Sequence, residues 1–337
     1  MKDLLTSALD AHGGLSRGRE IEAFQLKVSI GGGLWRLTGL PDGLRDVTLR
    51  IQAHRPSVTI TPFGGAARTG HFTPDRVWVE EANGGVVEER ATPRASFAGH
   101  VLTTPWDKMQ ELSFVSYALW NYLATPFVCT EPGFETREIG PHEENGETWH
   151  RLLVKYPPSI PTHCAEQVLY FNAQGLLQRL DYSVDVVGDM VAGAAAHYCF
   201  DHTPFGGLVI PTLRRAVSRT PKGAVFSGPT GVLLQMSDIT LIPNAPKEKN
   251  NDRERTTVRC EEVLGNQGPE NGLYRRGRRR SHRFRAWKPD LILSVAQRHA
   301  GLSWPGPADC LRHDRDGRFR ETSRLWPQPP HTGCIQE

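Results

Sequence analysis

The chain lacks any apolar run approaching the roughly 18 residues that a membrane-spanning helix needs, so no transmembrane segment is expected. Its six cysteines, Cys129, Cys164, Cys199, Cys260, Cys310 and Cys334, form no C-x-x-C pair and follow no regular spacing. That pattern argues against a disulfide framework and for reduced thiols. The opening residues MKDLLTSALDAHGG carry Asp3 and Asp10 and no long apolar core, unlike a secretory leader, so the expected location is the cytoplasm. There is no G-x-S-x-G elbow, no Walker loop, no dinucleotide glycine fingerprint and no H-E-x-x-H. Triad hydrolysis, phosphoryl transfer and nicotinamide chemistry lose their footing, and no cofactor or metal is expected. Gly31-Gly32-Gly33 reads as a strand break, because no helix is expected after it.

Uniform charge is also missing. Residues 1–245 hold 21 Lys and Arg against 25 Asp and Glu, whereas residues 246–337 hold 19 against 12. The first piece is net acidic and gives no reason to expect a specific nucleic-acid partner. Apolar residues make up only 38% of the chain, which suggests that part of it is not packed. From residue 246 on, Arg outnumbers Lys 16 to 3, with a basic run at Arg275-Arg276 and Arg278-Arg279-Arg280. This tail reads as a basic, low-complexity, mostly disordered extension; an arm for an acidic partner and a shifted reading frame share the same composition. The expected organisation is a folded domain over 1–245 and a tail over 246–337.

What is present is one strong helix in a chain of strands. In TTPWDKMQELSFVSYALWNYLATP, Thr104 is a candidate cap, Pro105 suits the first helical position, and Asp107 follows three residues after the cap. Trp106, Met109, Leu112, Val115, Leu119, Trp120 and Leu123 recur at steps of three and four, one apolar stripe that Phe114, Tyr117 and Tyr122 broaden. Thr125-Pro126 ends it. A shorter helix is expected over residues 2–12, stopped by Gly13-Gly14.

Around the helix, strand patterns dominate. Phe24, Leu26, Val28 and Ile30 alternate with polar residues, as do Val47, Leu49 and Ile51. Asn83-Gly84-Gly85 and Asn172-Ala173-Gln174-Gly175 each sit between two such runs and signal hairpins, and Phe205-Gly206-Gly207 joins two more strands. About ten strands with short connections and no βαβ alternation predict an α+β fold: a strongly curved antiparallel sheet, a half-barrel, wrapped around the central aromatic-rich helix.

This order of helix, strands, aromatic helix and strands resembles the lipoprotein-carrier fold of the LolA and LolB type. The segments that carry the likeness are LDAHGGLSRGREIEAFQLKVSI, TTPWDKMQELSFVSYALWNYLATPF, and EQVLYFNAQGLLQRLDYSVDV with LVIPTLRRAV. It covers about residues 1–243. The resemblance implies a curved sheet enclosing an apolar cavity; without a secretory leader it does not carry lipoprotein transport with it.

Candidate site residues follow from side-chain chemistry. Trp106, Tyr117 and Trp120 on the helix could face Trp78, Tyr170 and Tyr182 on strands across a cavity for an apolar ligand, though ordinary core packing would use the same residues. His197, Cys199 and Asp201 alternate on one strand and so share a face; with His163-Cys164 elsewhere they match no standard zinc signature. His197 could instead act as acid or base, oriented by Asp181 or Asp185. An inward Arg179 could fork onto a ligand carboxylate, and of the adjacent pair Arg214 and Arg215 only one can point inward. The primary expectation is a binding protein for an apolar small molecule, such as an acyl chain or a polyketide-like compound, held between the sheet and the helix 104–125. The alternative is a cofactor-independent isomerase, cyclase or dehydratase using His197 in the same cavity. A third reading is a filled core with no cavity at all.

Overall fold

A computed structural model describes residues 2–188 and 193–245. The tail expected over 246–337, with Cys260, Cys310 and Cys334, lies outside the described residues. Among the described residues the α-helices are α1 (Leu4–Ala11), α2 (Leu15–Arg19), α3 (Gly33–Leu37) and α4 (Lys108–Ala124). The first six strands are β1 (Ile21–Gly31), β2 (Leu44–Gln52), β3 (Val58–Thr61), β4 (Thr69–Thr73), β5 (Arg76–Glu80) and β6 (Val86–Ala91). The next seven are β7 (Glu135–Glu144), β8 (Glu147–Lys155), β9 (Glu166–Phe171), β10 (Leu177–Ser183), β11 (Ala194–Phe205), β12 (Leu208–Ser218) and β13 (Val232–Pro243).

All thirteen strands form one antiparallel sheet in the order β6-β5-β4-β3-β2-β1-β13-β12-β11-β10-β9-β8-β7, open at both edges. The chain starts at the middle of this sheet and meanders out to β6. It then crosses by way of α4 to the opposite edge, β7, and meanders back until β13 pairs with β1. The sheet bends around α4. On that helix Trp120 donates from Nε1 to the carbonyl of Gln52 at the end of β2 (3.0 Å), while the Tyr122 hydroxyl meets that of Tyr182 on β10 (3.2 Å). Those strands are five apart in the order, about 24 Å on a flat sheet at the usual strand spacing. A helix with its side chains is only about 10–12 Å wide, so the two wings must fold towards each other to reach it.

The sheet has thirteen strands where about ten were expected, and β4 and β7 are among those that the sequence pattern does not signal. Strand β4 is short, TGHFT, with Gly70 where a side chain would meet Leu112 of α4. Strand β7, ETREIGPHEE, is an edge strand, exposed along most of its length and carrying Pro141 and four glutamates. Edge strands favour charge and proline because these deter further pairing, and the same residues erase the strand signal.

Helix α4 also differs from expectation in two ways. It starts later: Asp107, not Thr104, is the cap, accepting from the Gln110 amide while the Gln110 side chain accepts from the Asp107 amide. A capping box needs the cap side chain to reach the third helical residue, and Asp107 does this while Thr104 bonds the Val101 amide. Further, every α4 residue from Met109 to Ala124 is buried, so the helix has no solvent face, and the apolar stripe is only its most obvious side. Finally, a helix does follow Gly31-Gly32-Gly33. The first amides of α3 donate to the carbonyls of Thr230 and Gly231, so they are spent on the neighbouring loop. Gly32 is required there: its φ is +124°, and a Cβ would lie 2.5 Å from the Gly231 carbonyl oxygen.

Candidate functional site: an apolar cleft beside the central helix

Large side chains of α4 lie opposite small ones of the sheet. Phe114, Val115, Ala118, Leu119 and Tyr122 form one wall; Ala194, Ala195, Ala216 and Gly231 form much of the other. A strand that offers Ala or Gly where its neighbours offer Leu or Ile leaves space that the helix cannot fill. The resulting cleft opens to solvent. Among the described residues no charged side chain lines it, and the hydroxyl-bearing ones are Tyr122, Tyr182 and Ser218. A second cleft lies at the other end of α4, lined by Trp120, Leu123, Phe127 and Phe134 together with Arg19, His54 and Glu131.

Behind the first cleft runs a buried chain of five rings. Tyr117 meets His163 Nδ1 at 3.4 Å and Tyr122 meets His163 Nε2 at 2.9 Å. Tyr122 meets Tyr182, and Tyr182 meets His197 Nδ1 at 3.1 Å. His163 also stacks on Tyr182, with ring centroids 4.2 Å apart. Burial sets the protonation of every member. Loss of solvent pushes His163 down to about 3 and His197 well below the usual histidine range, helped in the latter by the charge of Arg214. The same burial pushes Tyr122 up to about 12 and raises Tyr117 and Tyr182. At neutral pH the chain is therefore two neutral imidazoles and three intact phenols.

The outer face of the same strands carries a separate ionic cluster. Arg179 is buried and forks onto Asp181, with Nε and Nη2 at 2.6 and 2.9 Å from its two oxygens. Arg179 Nη1 reaches Glu144 at 2.8 Å, and Tyr170 donates to Asp181 at 2.9 Å. Arg219 closes the group, 3.4 Å from Asp181.

The sequence-predicted site residues divide between these two faces. Cross-strand register pairs Leu180 with His197 and Asp181 with Ala196, so His197 faces α4 while Asp181 faces away. Asp181 cannot orient His197, and Asp185 is instead bound by Arg94 at 2.6 Å. Tyr170 and Arg179 share the outer face with Asp181, and Arg179 is consumed by protein carboxylates. Trp78 sits between the buried Val77 and Val79 of β5, and so on the opposite face from both. There it stacks on His71 at 4.8 Å under the Arg76 guanidinium. Trp106, Tyr117, Trp120, Tyr182 and His197 do lie on the inner side. Of these Tyr182 lines the first cleft and Trp120 the second, while Trp106 packs among Trp35, Phe97 and Phe114. Among the described residues no histidine and no carboxylate lines the first cleft, where the enzyme reading placed His197. Among the described residues, no group of three His, Cys, Asp or Glu side chains is placed to hold a metal ion.

The residues that sequence reasoning undervalued are Tyr122, His163 and Arg214. Tyr122 counted only as added helix surface, and His163 only as a possible ligand beside Cys164. The alanines that create the cleft give no signal at all in one sequence.

No family model matches the chain, and no curated protein matches it. Solved structures do. A DUF1329 family protein from Desulfovibrio piger aligns at 12% identity and TM-score 0.43, covering 71% of this chain and 94% of that one. A LolA superfamily protein from Nitrosomonas europaea aligns at 12% identity and TM-score 0.42, covering 73% and 96%. A domain named for outer membrane lipoprotein sorting, from Vibrio parahaemolyticus, aligns at 10% identity and TM-score 0.37, covering 72% and 93%. The second of these carries the name of the family that the element order resembles. Among the described residues no helix is long and apolar enough to cross a membrane.

Proposed function

We propose that this chain binds an apolar small molecule of acyl-chain or polyketide-like character in the cleft between α4 and the ends of β10 to β13. The observation that carries the reading is the lining: an opening walled by Phe114, Val115, Leu119, Val217 and Leu234, kept hollow by Ala194, Ala195, Ala216 and Gly231, with no charged side chain among them. Such a surface gains from covering apolar area and offers nothing to a hydrophilic guest. The same lining speaks against the filled-core alternative.

The test is capture of an environment-sensitive apolar fluorophore, such as N-phenyl-1-naphthylamine, by the full chain. Ala216→Phe and Ala118→Leu place bulk in the two walls. Each should weaken capture at least tenfold while the circular dichroism stays that of the parent. Capture that survives both substitutions unchanged would remove the cleft from consideration.

A further inference from the structure

Among the described residues six large apolar side chains are exposed, Leu37, Val86, Val87, Val101, Val225 and Phe226. Val86 and Val87 begin the edge strand β6. The other four stand on three segments that frame the first cleft, although none of the four lines it. Leu37 ends α3, whose Leu34 and Trp35 belong to the cleft wall. Val101 precedes the lining residue Leu102 in the turn that leads to α4. Val225 and Phe226 lie in the connection from β12 to β13, between the lining residues Ser218 and Gly231. A single exposed apolar residue means little, but four gathered around one opening mark an interaction surface.

Backbone hydrogen bonds join these segments to one another and to the cleft. The amides of Gly33 and Leu34 donate to the carbonyls of Thr230 and Gly231, both at 2.9 Å. The Trp106 amide donates to the Thr38 carbonyl at 2.8 Å, and the Phe226 amide to the Ser218 carbonyl at 3.1 Å. The rim is thus fixed in place before it meets anything. Its charge has one sign, since residues 33–39, 98–105 and 219–231 contain Arg36, Arg219 and Lys222 and no Asp or Glu. Arg219 is spent on Asp181 and on the carbonyls of Ala195 and Thr220, whereas Arg36 and Lys222 are exposed. Asp185, on the segment after β10, is held by Arg94, and Asp189 lies outside the described residues. Asp42 and Arg45, beyond α3, balance each other in sign.

We propose that this rim docks on a lipid bilayer that carries anionic headgroups. Leu37, Val101, Val225 and Phe226 enter the headgroup boundary, and Arg36 and Lys222 meet the phosphates. Apolar side chains on turns gain by leaving water for that boundary, and each nearby cation adds attraction to an anionic leaflet. A protein partner fits less well, because its contacts need a continuous, closely packed patch and these side chains stand on three separate turns. Docking needs only the rim and so goes beyond the cleft reading; where both hold, an apolar guest passes between bilayer and cleft without crossing water.

The experiment is co-sedimentation of the full chain with vesicles of phosphatidylcholine, with and without phosphatidylglycerol. Residues 246–337 are basic and can attract anionic vesicles by themselves, so substitutions in the rim decide. Val225→Ser combined with Phe226→Ser should weaken binding about tenfold, the scale of one large side chain returned to water. Leu37→Ser, on a different segment, should weaken it in the same direction. Arg36→Gln combined with Lys222→Gln should cost about fivefold per cation on the anionic vesicles and nothing on the neutral ones. Val86→Ser combined with Val87→Ser, on β6, should stay within twofold of the parent. Rim variants that bind as the parent does would overturn the proposal, and so would a parent that binds neither vesicle. A parent that is a dimer in sedimentation velocity, is split by the Phe226 substitution and binds vesicles no less for it would make the rim a contact between copies and also overturn it. Fluorophore capture without vesicles should stay within twofold of the parent in every rim variant, so rim and cleft stand or fall separately.

Discussion

The side chain of Arg214 on β12 donates to the main-chain carbonyl of Tyr122 on α4 at 3.0 Å, so a strand from one wing of the sheet holds the last turn of the helix inside it. Two residues earlier, Trp120 ties the same turn to the carbonyl of Gln52 on the other wing. The helix is thus held from both sides near its C-terminal end, and the apolar cleft forms further along it, where the sheet offers Ala and Gly.

The N-terminal end of α4 should depend on its cap. Asp107 accepts from the Gln110 amide at 2.8 Å and is itself gripped by Arg90 at 3.0 and 2.8 Å. Asp107→Ala is expected to lower stability by about 1 kcal/mol, the usual cost of losing such a cap. Urea denaturation with an unchanged m value would check it. Thr104→Ala should cost less, because Thr104 serves a turn ahead of the helix.

On the outer face, Asp181→Asn would leave Arg179 with one carboxylate in place of two. Breaking one side of a buried ion pair typically costs about 3–5 kcal/mol, and Glu144 should reduce this towards the lower end. Fluorophore capture by the folded fraction should stay within twofold of the parent, because Asp181 faces away from the cleft. A strong loss of capture at constant fold would mean that the two faces are coupled.

Acid should weaken the fold over a defined window. His163 is held down to about 3 and His12 to about 4 by burial, against an ordinary value near 6.5. Below pH 6.5 the unfolded chain takes up protons that the folded chain refuses, so stability is full above that pH and falls as pH drops towards 4. Each such histidine contributes a slope of about 1.4 kcal/mol per pH unit within the window. Urea midpoints from pH 7 to pH 4.5 should show the decline, and His12→Gln should make it shallower. A flat profile would mean that these imidazoles are solvated.

The second cleft gives a control. Trp120→Phe shrinks one wall there and removes the donor to Gln52, leaving a buried carbonyl short of its partner at a cost of about 1–3 kcal/mol. Affinity for the fluorophore should be unchanged if the guest uses the first cleft. A large drop, measured by the same titration, would move the site to the other end of α4.

Much of the fold can be read from local chemistry. The period-two alternation of Phe24, Leu26, Val28 and Ile30 yields β1, and those four residues do share the core face. The hairpin at Gly206-Gly207 follows from two residues free to take positive φ, at +51° and +95°. Helix α4 follows from its length, its apolar spacing and Pro126. These depend on neighbours within a few residues, and one sequence contains them in full.

Which face of a strand looks inward is a different matter. Strand β10 reads LQRLDYS, and Arg179, Leu180, Asp181 and Tyr182 are buried in succession, because one face meets α4 and the other an ionic cluster. Alternation places Arg179 with Asp181 and Leu180 with Tyr182, yet nothing local says which pair is inside. Only the closing of β1 against β13, more than two hundred residues apart in sequence, sets the curl and so the inner face. The same closure puts Tyr122, Tyr182 and His197 in one chain and buries Arg214 with no carboxylate bonded to it among the described residues. The elements of this protein came from its sequence by short-range rules; its cleft and its ring chain came from long-range packing, which no local pattern encodes.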